Sequence, residues 1–326
     1  MTRTANIYYV IRRQFHTDTW RIHMATFSKI LFPTDFSGYS NGVLDHALAW
    51  AEMFGADVHM LHVVTVHNFD PFNPDLGFPD VDMDVSLHES AKKQMEEIAG
   101  YAAGKATNVT REARTGFSPW TEIVNAAAEQ EADLIVMATH GRKGLQKLFL
   151  GSTADQVLEH APCPVLLLRP DEDEVLPPAG EVESILLPTD FSDEASQAAP
   201  LALKLAEQFG AKLTVFHSVE QDVPPPYYAA GITSIFELND SVLDVSRGQM
   251  AKLIPDDLAE KIEHEFVVRE GSSAQQIVSL AREAAIDLIV MATHGYSGLE
   301  EVLIGSTTDR VVRNTPCPVL VVRCQA

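Results

Sequence analysis

The chain has 326 residues, too many for one ordinary core and suited to two domains of roughly 150 residues each. Hydrophobic residues make up 46% and charged residues 21%, and no run approaches the ~18 apolar residues of a helical membrane span. A formal net charge of -22 argues against nucleic acid or an anionic membrane as partner, since both require clustered positive charge, so an anionic ligand must be held locally.

The first 23 residues, MTRTANIYYVIRRQFHTDTWRIH, carry four arginines but only the five-residue apolar run Ile7 to Ile11, too short for the core of a signal peptide. Residues 1–25 are expected to form a disordered N-terminal extension outside the fold; a transit peptide or a start at Met24 are the alternatives. A cytoplasmic location is the expectation. Cys163 and Cys317 sit in two PCPV stretches and read as small packing residues, not as part of a disulfide framework.

From there, short β-branched runs alternate with amphipathic stretches: KILFP, a helix from about Tyr39 to Phe54, DVHMLHVV, a helix from about Leu87 to Ala103, and VTREAR. A helix from about Trp120 to Glu131, the run DLIVMA, a helix from about Ser152 to His160 and PVLLLR complete the series. Then the order repeats. Asp35 in PTDFS matches Asp190, and His62 and Gly116 match His217 and Gly271, all at a shift of 155. Asp133, His140, Gly151 and Cys163 match Asp287, His294, Gly305 and Cys317 at a shift of 154, one residue having been lost at a loop entering a helix. Two duplicated domains over 26–170 and 183–326, joined by an acidic, proline-rich linker over 171–182, account for this pattern. DLIVMA occurs in both copies without polar alternation, as expected of parallel strands buried on both faces. The fold class is α/β: two doubly wound domains, each a five-stranded, mainly parallel sheet with helices on both faces. In such sheets ligands bind beyond the carboxyl ends of the strands.

The residues placed there are informative. PTDFS follows the first strand, putting Asp35 and Asp190 where a carboxylate can accept hydrogen bonds from a base or a ribose; capping of the next helix is the competing role. THG follows the fourth strand, and nine residues after its glycine comes GST, opening the last helix. Gly151 and Gly305 allow close approach of backbone to a ligand, and Ser152, Thr153, Ser306 and Thr307 add hydroxyls beside unpaired helix-terminal N–H groups. His140 and His294 have no partner carboxylate at fixed spacing, no GxxxxGK[ST] is present and no His/Cys cluster has zinc spacing, so no catalytic or metal residues are assigned. The segments 67–85 and 220–238 differ completely between the copies and read as surface loops or partner-contacting lids.

In PTDFS, in LHV or FHS after the second strand, in MATHG and in GST, each occurring twice in order, the sequence resembles the universal stress protein family in its tandem form, from about Thr26 to Arg323. That resemblance implies a Rossmann-like fold akin to the adenine nucleotide alpha hydrolases. It also implies ATP, or AMP or ADP, as ligand, with magnesium on the phosphates, and a nucleotide-dependent regulator with at most slow hydrolysis. The nucleotide-binding branch carries G-x-x-G-x9-G-[ST], and here both copies begin that motif with alanine, at Ala138 and Ala292. By resemblance, Pro33, Thr34, Asp35 and Val63 frame adenine and ribose, Met137 and His140 lie along the nucleotide, and Gly141, Gly151, Ser152 and Thr153 hold phosphates. The second set is Pro188, Thr189, Asp190, Ser218, Met291, His294, Gly295, Gly305, Ser306 and Thr307, with Ser218 replacing an apolar residue against the base. In the family the last strand mediates dimers, so the two copies are expected to pair through PCPVLLLR and PCPVLVVR, and a homodimer of the whole chain is a further expectation. Between the glycines, the first copy carries Arg142, Lys143 and Lys147 and the second Glu300 and Glu301, so ATP is expected to favour the first copy by ~2 kcal/mol. A nucleotide-free scaffold and a nucleotide hydrolase are the competing functions.

Overall fold

In each half the branched apolar runs become strands and the amphipathic stretches become helices, in a computed structural model that describes residues 27–65, 81–106, 108–139, 150–169, 180–220, 233–239, 241–293 and 304–323. The first half runs β1 (Lys29–Pro33), α1 (Gly38–Phe54), β2 (Asp57–Thr65), α2 (Val81–Ala102), β3 (Val109–Gly116), α3 (Pro119–Glu129), β4 (Leu134–Ala138), α4 (Ser152–His160) and β5 (Val165–Leu168). In the second half α1 is broken in two: β6 (Ser184–Pro188), α5 (Asp193–Ser196), α6 (Ala199–Phe209) and β7 (Lys212–Val219). There follow α7 (Ile235–Leu238), α8 (Ser241–Ala251), α9 (Asp256–Ala259), β8 (His264–Glu270), α10 (Ser273–Glu283), β9 (Leu288–Ala292), α11 (Ser306–Asn314) and β10 (Val319–Val322). Helix α2 starts six residues before the expected Leu87, so residues 81–85 are helical and not loop. The expected N-terminal extension and most of the two variable segments lie outside the described residues.

The ten strands form one sheet in the order β3-β2-β1-β4-β5-β10-β9-β6-β7-β8. Every neighbouring pair is parallel except β5 and β10, which run antiparallel with Leu166 opposite Leu320. As expected of VLLL and VLVV, which are apolar throughout and would otherwise be open edges, the final strands pair and join the two five-stranded sheets into one. Helices α1, α2, α6 and α8 supply one core layer and α3, α4, α10 and α11 the other, with the sheet between them. The first layer is continuous across the junction: the Phe209 ring lies 5.8 Å from Phe54 and 6.1 Å from Trp50. Such aromatic pairs contribute ~0.5 to 1.5 kcal/mol each beyond simple burial.

Local chemistry sets the register. Asp133, just before β4, accepts with Oδ2 from Ser28 N (2.8 Å), Ser28 Oγ (2.5 Å) and Lys29 N (3.0 Å), which fixes β4 beside β1. Asp287 does the same for β9 and β6, accepting from Glu183 N, Ser184 N and Ser184 Oγ. Helices α1 and α6 both end on a glycine at φ 65°, Gly55 and Gly210, a left-handed stop that side chains resist. Gly180, within the expected linker, packs close to Ala49 and Met53 of α1, so the chain is already seated on the first half when it enters β6. Cys163 and Cys317 are buried, and burial pushes both thiols up to about 12, which makes them inert packing groups. Among the described residues no helix is long and apolar enough to cross a membrane.

Candidate functional site

The strand order places β1 beside β4, while α1 leaves β1 towards one face and α4 follows β4 on the other. The two connections therefore part at the carboxyl ends of β1 and β4 and leave a crevice there. The second half reproduces this between β6 and β9.

One wall of each crevice is the PTDFS turn. Thr34 is buried; its N–H donates to Leu61 O at 2.8 Å, and its hydroxyl accepts from Phe36 N at 3.0 Å. Asp35 Oδ1 accepts from Ser37 N at 3.0 Å, and Ser37 Oγ in turn caps α1 by accepting from Ser40 N. The capping role weighed for Asp35 thus belongs to Ser37, and Asp35 shapes the turn ahead of it. Thr189, Asp190 and Ser192 repeat this, with Ser192 N donating to Asp190 Oδ1 at 3.0 Å. Pro33 and Pro188 are the last residues of β1 and β6.

Phe36 and Phe191 were not singled out from sequence, yet they sit at φ 60° and 65°, a left-handed conformation that costs an L side chain ~1 to 2 kcal/mol. The strain is held by stacking: Phe36 lies 4.2 Å from His62 and Phe191 4.2 Å from His217. Each histidine is fixed by its Nδ1–H, donated to the carbonyl of Thr34 at 2.8 Å or of Thr189 at 2.9 Å. The repeated LHV and FHS runs were the signal, because a histidine kept at the end of both second strands needs a partner.

The other wall is the last helix of each half. Gly151 is the N-cap of α4 and Gly305 that of α11, and neither supplies a capping side chain. Their φ values of -62° and -57° are open to any residue, so backbone freedom is not what calls for glycine there. Gly151 N donates to Thr139 O at 2.9 Å and Gly305 N to Thr293 O at 2.8 Å. Each bond closes the loop between strand and helix at its base. Ser152 and Ser306 are exposed, and Thr153 and Thr307 half-buried, beside the helix N-termini. In the first turn of α4, Asp155 is held above the usual carboxylate range by burial first and then by the nearby Asp309 charge, with Arg313 opposing.

Ala138 and Ala292 close their strands without positive φ, so alanine in place of the motif's first glycine brings no strain. Met137 and Met291 are buried in the second core layer. Val63 packs against that layer, whereas Ser218 donates from Oγ to Gly271 O at 2.6 Å. His140, Gly141, His294 and Gly295, with the charged loop residues, lie outside the described residues. The arrangement can present a carboxylate and backbone polar groups on one side and an uncapped helix N-terminus on the other, which suits a ligand with a polar ring or sugar at one end and an anion at the other.

Comparison with known proteins agrees with this plan. The sequence model of the Universal stress protein family matches residues 26–169 and again 181–323. A universal stress protein of Mycolicibacterium smegmatis is 26% identical over 320 residues, covering 93% of this chain and 99% of that one. One from Methanocaldococcus jannaschii is 36% identical over 145 residues, 43% of this chain and 82% of the relative. The crystal structure of a universal stress protein from Archaeoglobus fulgidus superposes with a TM-score of 0.66 at 21% identity, covering 92% of this chain and 97% of that one. The chain belongs to the universal stress protein family, in a tandem form that carries the family's fold twice.

Proposed function

We propose that the chain is a cytoplasmic stress-response protein that binds adenine nucleotide, with ATP in the first half, and uses occupancy to regulate persistence or partner binding. The observation that carries this reading is the pairing, across one crevice and in both halves, of the Asp35 or Asp190 turn with a helix N-terminus left uncapped by glycine. Adenine and ribose face the turn; the phosphates face Gly151, Ser152 and Thr153, where backbone N–H groups and the helix dipole favour negative charge. Ser152 and Thr153 offer hydroxyl oxygens of the kind that hold a magnesium-bound phosphate.

The described side chains at the crevice act by binding and orientation. The His62 ring, fixed by Thr34 and stacked on Phe36, holds the turn rigid so that Asp35 meets the ligand already positioned. The test is mass spectrometry of nucleotide released from the purified, denatured chain, with linked measurement of phosphate release. Stoichiometric adenine nucleotide with negligible turnover is expected. Protein that is folded, releases none and takes up none on addition would instead favour a nucleotide-free scaffold.

A further inference from the structure

Because the two halves follow one plan, a difference at matched positions is a controlled comparison. The turn PTDFS is identical in both, at 33–37 and 188–192, yet its aspartate is held differently. Asp190 Oδ1 accepts from Ser192 N at 3.0 Å and also from Ser192 Oγ at 2.6 Å. Asp35 Oδ1 accepts from Ser37 N at 3.0 Å, but the Ser37 hydroxyl is turned the other way and donates to Ser40 Oγ at 3.5 Å. The hydroxyl bond in the second half is short and charge-assisted; its counterpart in the first is long, weak and directed away from the carboxylate.

One residue in the first turn of the following helix accounts for this. Ser40, third residue of α1, is matched by Ala195, third residue of α5. The Ser40 side chain is buried, and its hydroxyl donates its one hydrogen to Ser37 O at 3.1 Å. Its oxygen therefore accepts from Thr34 Oγ1 at 3.1 Å and from Ser37 Oγ at 3.5 Å, which uses both lone pairs. Ala195 offers no such acceptor, so the Ser192 hydroxyl turns to Asp190, and Ser192 O is met instead by Ser196 Oγ at 2.8 Å. Capping is the same in both halves, since Ser37 Oγ accepts from Ser40 N and Ser192 Oγ from Ala195 N. The other differences up to Ser196 are Gly38 against Asp193, Tyr39 against Glu194 and Asn41 against Ser196. Of these, the two acids act chiefly on a charged ligand.

We infer that Ser40 is a positioning residue of the first half: it draws the Ser37 hydroxyl off Asp35 and so spares that carboxylate a donor that competes with the ribose of the ligand. A ribose hydroxyl that reaches Asp190 must displace the Ser192 hydroxyl; at Asp35 no such exchange with Ser37 is needed. The first mouth therefore reads ribose hydroxyls more strongly than the second, by about tenfold in affinity for one hydrogen bond of ordinary net strength. The inference rests on the adenine-nucleotide reading above and adds to it the group that the turn recognises.

The experiment is calorimetric titration of the full chain with adenosine and with a dideoxyadenosine that lacks the two ring hydroxyls. Both probes are uncharged, which removes Asp193 and Glu194 from the comparison. Ser40→Ala and Ser40→Thr are made on an Asp190→Ala background that silences the second mouth, and Ala195→Ser on an Asp35→Ala background that silences the first. Each half is compared only with itself, so Val63 against Ser218 does not enter. Ser40→Ala installs the residue that the same fold carries at Ala195, and a thermal melt checks that the chain stays folded. It is expected to lower adenosine affinity about tenfold and leave dideoxyadenosine unchanged, while Ser40→Thr, which keeps the hydroxyl, retains the parent affinity. Ala195→Ser is expected to raise adenosine affinity at the second half by a similar factor. Adenosine affinity unmoved by Ser40→Ala overturns the inference, as does a loss shared equally by dideoxyadenosine or a chain that takes ATP but not adenosine; each leaves the adenine reading standing. A parent chain that binds neither adenosine nor ATP overturns the adenine reading itself, and this inference with it.

Discussion

Replacing His46 by leucine is expected to remove much of the acid sensitivity of folding at the junction between the halves. His46 lies on α1, is 5% exposed, and lines a small cavity with Trp50, Glu181, Val182, Asp287 and Pro318, where the first half meets the second. Burial lowers its pKa from 6.5 to about 4, with Asp45 opposing more weakly. Asp287 is a poor counter-charge, because its Oδ2 already accepts from Glu183 N, Ser184 N and Ser184 Oγ. The unfolded chain takes up this proton near 6.5 and the folded chain only near 4. The stabilisation from a neutral His46 is thus fully present above 6.5 and is lost as the pH falls towards 4. Between about pH 7.5 and 4.5 the loss from this one group is about 2 to 3 kcal/mol. Leucine is the residue at the matched position, Leu201, so the fold already accepts it there. Urea unfolding followed by tryptophan fluorescence, to which Trp50 contributes from the same cavity, should show the parent losing about 2 to 3 kcal/mol more than His46→Leu over that interval. Equal losses in the two chains would refute the reasoning and mean that the ring finds a proton partner in the folded state.

Gly151→Val should abolish ATP binding at the first half with little change in the melting temperature, since φ -62° suits valine and only the space for phosphate is lost; calorimetry beside a thermal melt checks this, and retained ATP binding would move the phosphates elsewhere. Asp35→Ala should weaken adenosine and ATP by similar factors, because it acts at the base and ribose end. A titration in which only ATP suffers would reverse the orientation of the nucleotide. Leu320→Ala, at a fully buried position opposite Leu166, should cost ~2 to 5 kcal/mol in denaturant unfolding, and a cost under ~1 kcal/mol would mean that the strand pair contributes little.

Much of this architecture was legible because duplication supplies its own alignment. The shift from Asp35 to Asp190 and from Gly151 to Gly305 exposed the repeat, and unbroken runs such as LIVMA marked strands covered on both faces. Helix α2 was cut short because VDMDVS has two aspartates and no apolar stripe; its first turns are helical despite the local pattern. The conformation of Phe36 could not be read, since a left-handed phenylalanine is disfavoured locally and here stacks on a histidine 26 positions away in sequence. The role of Gly151 was half legible: the need for a small residue was plain, but its ordinary φ came only from the geometry.

The antiparallel seam between β5 and β10 changes the arithmetic of assembly. Each half spends its stickiest edge on the other, and the edges left at the two ends of the sheet, β3 and β8, bear charges such as Arg111, Glu112, Glu265 and Arg269 that discourage further growth. Were the halves separate chains, forming the seam would be second order and would fail on dilution. Joined by the short stretch between Leu168 and Ser184, they meet at an effective concentration on the order of millimolar at any abundance of the protein. A cell that makes few copies of this chain therefore has as large a fraction of paired folds as one that makes many.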